Sequence, residues 1–441
     1  MFFQYNPIKE KGTDLLSTEA YLAIAIFLIS YGLIISEKIQ RTIVAMAGGA
    51  LMILLGIVSQ HAAIEHIDFN TLGLLVGMMI IISVTSETGL FRYIAIWSSK
   101  KVRGRPVALL VVFAMMTAIG SAFLDNVTTV LLMVPVTFSM TRLLNLDPMP
   151  FLMAEILMSN IGGTATMIGD PPNIMIGSAV KEIGFIDFII HLAPISLLIG
   201  LVTMTILILI YRKRLTASDE AREKLMATDE KEEITDKKMM IQSVTVLVLT
   251  ILGFFIHQIV HIESATVALA GAFLLLLLTG EKALDHALSS VEWTTIFFFI
   301  GLFVMVGGLI ETGVMNKIAQ SAVELTGGDP VTTSFLILWL SAIASAFVDN
   351  IPFVATMIPL IQDIGQMGVA NLEPLWWSLA LGACLGGNGT LIGASANLIV
   401  AGLAGKEGRP IPFVGFMKIG LPVMFLSVAL ATGYIYLRYL V

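Results

Sequence analysis

The sequence predicts an all-α polytopic membrane protein built as two inverted repeats. Each repeat holds five transmembrane helices plus one re-entrant hairpin, with broken helices at the midplane. Three observations predict this. Of 441 residues, 57% are AVILMFWYC and only 13% are Asp, Glu, Lys or Arg, whereas a soluble domain carries about 25% charged residues. The apolar residues come in runs of membrane-spanning length. The two halves also repeat polar motifs in register. This composition excludes a soluble enzyme, a disordered chain and a nucleic-acid binder, since a net charge of −7 supplies no basic field for a phosphate backbone. One cysteine, Cys384, leaves no intramolecular disulfide and no cysteine-built metal site.

A membrane helix needs roughly 20 apolar residues. Such runs fall at 20–36, 42–60, 71–90, 150–180, 185–211, 240–260, 263–280, 292–312, 375–404 and 413–437. The run Tyr21–Ser36 has a flank of mixed charge and no small-residue cleavage site, so it reads as the first span rather than a signal peptide. Two stretches, 106–143 and 330–367, are too long for one span and polar at their centres. They read as hairpins that enter and leave on one side. The first repeat is then 1–211 and the second 240–441, joined by a polar linker, 212–239.

Eight Lys and Arg crowd the linker segment 212–238, and the positive-inside rule puts it in the cytoplasm. Lys38, Arg41, Lys100, Lys101, Arg103, Arg105, Arg142, Lys282, Lys406 and Arg409 fall on the same side. Loops 61–70, 257–263 and 320–329, which fall opposite, contain no Lys or Arg. Both termini are then outside, and a plasma membrane is the expected location.

The repeat has a fixed offset of 224 residues. Glu87-Thr88-Gly89 returns as Glu311-Thr312-Gly313, and Ser121-Ala122-Phe123 with Asp125-Asn126 as Ser345-Ala346-Phe347 with Asp349-Asn350. Gly162-Gly163, Thr166, Gly169 and Asn173 return as Gly386-Gly387, Thr390, Gly393 and Asn397. Apolar composition alone cannot place Asp-Asn, Gly-Gly and Asn in register. An odd number of crossings per half inverts the second half, an architecture in which secondary transporters bind substrate and ions at broken helices near the midplane.

The hairpin tips carry the first constellation: Asp125, Asn126 and Thr128, echoed by Asp349 and Asn350. An ionised Asp at membrane depth is costly unless paired, protonated or bound to a cation. Asp and Asn also cap returning helices, and one residue can do both. The second constellation is the broken helix of each half. It runs through Gly163, Thr164, Thr166, Asp170 and Asn173 in one half and Gly387, Asn388, Thr390, Ser395 and Asn397 in the other. Pro171-Pro172 cannot continue a helix, so freed carbonyls become expected ligands for Na⁺ or a hydroxylated solute. The half-helix N-termini add a positive dipole end. Asp125, Asn126, Asn173, Asp349, Asn350 and Asn397 are the expected Na⁺ ligands. Asp170 has Ala394 as its counterpart. Two readings of it stay open: a proton carrier or cation ligand working on one side, or a cap of the following half-helix. Glu155 is a weaker intramembrane candidate. Glu87, Glu311 and the six histidines read as interfacial.

At Ser121–Pro135 and Gly162–Asn173, echoed at Ser345–Pro359 and Gly386–Asn397, the sequence resembles the ion transporter superfamily. Its nearest likeness is the branch holding the arsenite/antimonite efflux carrier ArsB, the NhaD-type Na⁺/H⁺ antiporters and the melanosomal P protein. The resemblance covers almost the whole chain. It implies hairpins meeting at the midplane, a scaffold/transport division, elevator-type motion and frequent homodimers. No cofactor is expected beyond a coupling H⁺ or Na⁺, either of which could neutralise the aspartates. Some arsenite carriers of the family work with a separate ATPase, and this chain has no nucleotide-binding motif of its own.

The expected function is secondary active transport of a small inorganic solute, arsenite- or antimonite-like, or of an ion. The alternatives are Na⁺/H⁺ antiport and an anion symporter of the dicarboxylate/citrate kind. The dicarboxylate branch has neutral Ser-Asn-Thr tips where this chain has Asp-Asn. With no Lys or Arg in the motifs, two or three carboxylates would repel a dianion. Like charges 4 Å apart cost about 4 kcal/mol at an effective dielectric near 20. An intramembrane aspartyl protease fits poorly, because the chain reads Met167-Ile168-Gly169-Asp170 rather than Gly-x-Gly-Asp. A passive channel has no need of the repeat.

Overall fold

A computed structural model describes residues 16–36, 38–369 and 371–441, without the side chains of residues 281 and 282. The first 15 residues of the expected first repeat and the side chain of Lys282 lie outside the described residues. The described secondary structure is entirely helical.

The first half runs α1 (Thr18–Ser36), α2 (Arg41–Leu54), α3 (Gln60–Glu65), α4 (Phe69–Glu87), α5 (Leu90–Lys101), α6 (Pro106–Leu124), α7 (Asn126–Leu143), α8 (Met149–Gly163), α9 (Pro171–Ala179) and α10 (Phe185–Tyr211). The polar segment holds α11 (Asp219–Ala227) and a short 3-10 turn, Glu230–Glu233. The second half runs α12 (Lys237–Ile256), α13 (Ser264–Thr279), α14 (Glu281–Ser289), α15 (Trp293–Glu311), α16 (Val314–Thr326), α17 (Pro330–Phe347), α18 (Asn350–Gln366), α19 (Glu373–Gly386), α20 (Ser395–Lys406) and α21 (Phe413–Ile435). Helix by helix the halves correspond. The bounds of α4 map onto those of α15 at the sequence offset. Past the break the register slips by four residues, so Pro194 inside α10 matches Pro422 inside α21.

Nine helices among the described residues are long and apolar enough to cross a bilayer. The second spans, α2 with 14 residues and α13 with 16, fall short, since 14 residues rise only about 21 Å against a hydrocarbon core of about 30 Å. The run at 42–60 is therefore not one helix. Gly56 takes φ +72, and the chain turns into α3. The amphipathic helices α5 and α16 also replace what the sequence reads as loop, each entered through a glycine, Gly89 or Gly313, at positive φ.

Packing exchanges elements between the halves. Helix α2 lies against α15, and α13 against α4. Gly301 meets the Ala45 backbone and Gly77 the Ala268 backbone at distances that leave no room for a Cβ. The hairpins pack on the broken helices instead: α6 on α8, α17 on α19, α7 on α20 and α18 on α9. Helices α1 and α12 face mostly outward, whereas α4 and α15 are mostly enclosed. Leu54, Leu209 and Leu277 are among the large apolar side chains left exposed around the outside, as lipid-facing residues are. Each hairpin arm has 17 to 19 residues, enough or nearly enough to cross alone. The arms are re-entrant because their tips, arriving from opposite faces, end together inside the protein.

Candidate functional site

Each tip is fastened to the break of its own half by the same bonds. Ser121 Oγ donates to Ser159 O at 2.5 Å, and Ser345 Oγ to Ala383 O at 2.6 Å. Thr166 Oγ1 donates to Ala122 O, and Thr390 Oγ1 to Ala346 O. A Cβ on Gly162 would lie 2.2 Å from Ala118 O, and one on Gly386 2.5 Å from Ala342 O. The glycines of the repeat are thus the places where hairpin and broken helix touch backbone to backbone.

The breaks themselves are closed by the paired asparagines. Asn173 Nδ2 donates to Thr166 O at 2.9 Å and to Thr164 O at 3.2 Å. Asn397 Nδ2 donates to Gly387 O at 2.7 Å and Thr390 O at 2.9 Å. The carbonyls that the sequence offers as ion ligands thus each accept an amide of their own half, because unwound carbonyls buried from water must find donors. The other ends of the asparagines join the halves. Asn397 Oδ1 accepts from Asn160 Nδ2 at 2.9 Å, and Asn173 Oδ1 from Cys384 Sγ at 3.5 Å. Asn160 and Cys384 are themselves equivalent positions, so the two contacts are related by the pseudo-two-fold axis. Asn160 Nδ2 also reaches Asn388 Oδ1 at 2.9 Å, and its Oδ1 accepts from Asn126 Nδ2 at 3.3 Å. Gly163, Thr164, Thr166, Asn173, Gly387, Thr390 and Asn397 therefore frame the site, with their side-chain and backbone groups already engaged.

The tips differ. Asp125 accepts from the Thr128 backbone N–H at 2.8 Å and Thr128 Oγ1 at 2.7 Å, capping α7. Its own backbone sits at φ +76, ψ +157, a region almost reserved for glycine that is found at sites where surrounding structure holds the strain. Asp349 has ordinary φ, caps α18 through Ile351 N at 3.1 Å, and receives Ser395 Oγ at 2.8 Å. Arg41, at the start of α2, donates to Asp349 Oδ2 at 2.5 Å and to Ser395 Oγ at 2.8 Å. In the sequence Arg41 falls among the expected cytoplasmic loop cations, and the motifs themselves carry no base. Tertiary packing carries it 308 positions along the chain to the second tip, so the carboxylates do not stand unopposed.

Between the tips lies a cavity of about 20 Å³, lined by Arg41, Asp125, Asn126, Asp170, Glu292, Asn350 and Ser395, room for about one water-sized guest. Asp170 caps nothing with its side chain; both its oxygens accept from Asn350 Nδ2, at 3.3 and 3.4 Å. Of its two open readings, the cap is thus not what the structure holds. Asn126 Oδ1 is buried and has no hydrogen-bond donor among the described residues. Sequence reasoning did not single out Asn160, Glu292 or Arg41. Asn160 had a signal, an amide one turn from Gly163 in an apolar helix. Arg41 and Glu292 sit beside span ends and had none.

The lesser candidates lie elsewhere. Glu155 is fully enclosed and bonded to Thr137 Oγ1, away from the cavity. Glu311 pairs with His66 at 3.1 Å, and Glu87 with His286. Among the described residues no group of three His, Cys, Asp or Glu is arranged to hold a metal ion.

The comparisons agree with this architecture. The family profile described as "Citrate transporter" matches residues 31–382. An uncharacterized transporter of Mycobacterium tuberculosis H37Rv is 43% identical over 426 residues, covering 95% of this chain and 99% of that one. The P protein of Mus musculus is 36% identical over 509 aligned positions, covering 96% of this chain and 61% of the longer relative. The crystal structure of the YdaH transporter from Alcanivorax borkumensis superposes with a TM-score of 0.61 at 13% identity, covering 96% of this chain and 98% of that one, and shows the shared fold. The resemblance to the ion transporter superfamily and its P protein branch holds, and the chain is a membrane transporter that belongs to the citrate transporter family.

Proposed function

We propose that the chain couples the movement of a small inorganic solute or ion to H⁺ or Na⁺, with the coupling cation held at Asp125 and Asp170. One observation carries this reading: Asn126, whose Oδ1 is a buried acceptor without a donor among the described residues, lines the same small cavity as Asp125 and Asp170. An unpaired buried acceptor is costly, and a cation held between it and two acids relieves that cost while balancing their charge. The expected cargo is arsenite- or antimonite-like, with Na⁺/H⁺ antiport as the variant in which the cation is the only cargo.

An anion symporter of the citrate kind is the second reading. Arg41 favours it, because the site does hold one base, and the name of the matching family points the same way. The cavity, however, has room for about one water molecule, a size that suits a bare cation and that a tricarboxylate exceeds further than arsenous acid does in this conformation. Elevator motion of the hairpins and broken helices against α2, α4, α13 and α15, a homodimer, a cytoplasmic linker and external termini in a plasma membrane complete the proposal.

Proteoliposomes given arsenite, antimonite, Na⁺ or citrate under an imposed pH or Na⁺ gradient test it. Coupled flux that Asp125→Asn and Asp170→Asn abolish supports the cation site. Wild-type coupling in both variants refutes it. Citrate flux driven by either cation gradient, with no flux of arsenite or antimonite, favours the second reading. Cysteines introduced at Ser218 and Thr18, beside the buried Cys384, and labelled from either side of sealed vesicles check the orientation.

A further inference from the structure

The hairpin tips are equivalent in sequence, but Arg41 makes them unequal in charge. Its counterpart at the repeat offset is Ala265, so no base faces Asp125 in the same way. Arg41 belongs to α2, the helix packed on α15. Its guanidinium lies 4.9 Å from the centre of the Phe298 ring of α15, and Thr42 Oγ1 next to it donates to Thr294 O at 2.6 Å. The base is therefore fixed to the α2–α15 pair. Its partners, Asp349 and Ser395, sit on the second hairpin tip and the second break. The Asp349 side chain is only 9% exposed, against 28% for Arg41.

We propose that Arg41 is a tethered counter-cation: it fills the cation position at the second tip from the α2–α15 side, leaving Asp125 and Asp170 as the positions open to the travelling cation. This rests on the cation-coupled reading above and adds which tip is available and why. A mobile cation reaching Asp349 must compete with a guanidinium that is already bound and cannot diffuse away, so Arg41 sets how tightly the whole site binds cations. The charged and titratable groups that bear on Asp349 are Arg41, Tyr31 of α1 and Asp170 across Asn350. Glu292 and Asp125 line the rest of the cavity. Arg41 is a positioning and specificity residue in this scheme. It acts through Asp349.

The test is a charge cycle read as the Na⁺ concentration, at fixed pH, and the H⁺ concentration, without Na⁺, that give half-maximal transport in proteoliposomes. Arg41→Gln leaves the site one charge more negative and is expected to lower the half-maximal concentration of the coupling cation about tenfold or more. Asp349→Asn leaves Arg41 unpaired and is expected to raise it by a similar factor. The double variant Arg41→Gln/Asp349→Asn returns to the parent net charge, and its midpoint returns towards the parent value. Arg41→Lys keeps the charge and shifts the midpoint far less than Arg41→Gln. Size-exclusion profiles in detergent confirm that each variant is folded. If Arg41→Gln does not fold, Arg41→Lys and Asp349→Asn still decide, because the charge argument requires the second to weaken cation dependence and the first to leave it near the parent. Singles that move the midpoint in the same direction, or not at all, overturn the role of Arg41. That failure is distinct from failure of the cation site itself, which shows as intact coupling in Asp125→Asn and Asp170→Asn.

Discussion

Replacing Asn397 by Ala removes the side chain that both closes the second break and joins the halves. Three hydrogen bonds go: to Gly387 O at 2.7 Å, to Thr390 O at 2.9 Å and from Asn160 Nδ2 at 2.9 Å. The consequences differ. Gly387 O keeps no donor from the side chain that served it. Thr390 O retains the Gly393 N–H at 3.3 Å, and Asn160 retains Asn388 Oδ1 at 2.9 Å. One fully stranded and one half-stranded carbonyl, at about 1–3 kcal/mol for each unsatisfied buried group, give an expected loss of about 2–4 kcal/mol. Reversible unfolding in mixed micelles of SDS and a mild detergent measures it. Adding Asn160→Ala tests the connection between the halves. Residues sharing a hydrogen bond are non-additive by about 0.5–3 kcal/mol, so the double variant is expected to lose less than the two singles together. A loss below about 1 kcal/mol for Asn397→Ala, or strict additivity with Asn160→Ala, refutes the account of the paired asparagines as closures of the breaks.

Gly162→Ala drives a methyl to 2.2 Å from Ala118 O and Gly386→Ala to 2.5 Å from Ala342 O; each is expected to cost about 1–3 kcal/mol or more by overpacking, read in the same unfolding assay, with Gly402→Ala, which meets nothing within 4 Å, as the neutral control. The polar linker is strapped to the end of α4 by Thr235 Oγ1 to Glu87 O at 2.6 Å and to the last turn of α5 by Lys100 Nζ to Glu230 at 2.7 Å. A Cβ on Gly89 would lie 1.7 Å from Glu233 O, so Gly89→Ala is expected to speed amide exchange across 228–236 while leaving α8 and α19 protected. The hydrogen bond from Lys100 holds the Glu230 carboxyl below the ordinary carboxylate range. A depressed folded-state value stabilises docking above the unfolded value, near 4.3 for Glu. That contribution is lost as pH falls through the lower folded value, so linker exchange is expected to rise only in acid and Glu230→Gln to raise it already at pH 7.

The sequence determined that this chain lives in a bilayer, that it is built twice, and where each copy is interrupted. Those properties are local or periodic. Apolar runs report a solvent, Pro171-Pro172 and the glycine pairs report a helix that cannot continue, and Asp125-Asn126 with Asp349-Asn350 report turns between apolar arms. Registered motifs then give the symmetry without coordinates. Tertiary structure decided what the polar residues touch. Asn173 and Asn397 look like ligands in sequence but satisfy the carbonyls that their own breaks release. Arg41 looks like a loop cation, yet the packing of α2 on α15 carries it to Asp349. A hydrogen bond between residues hundreds of positions apart leaves no periodic trace in the chain. Two halves that share a pattern can therefore hold unequal charges, and only the fold that brings them together decides which carboxylate meets a base.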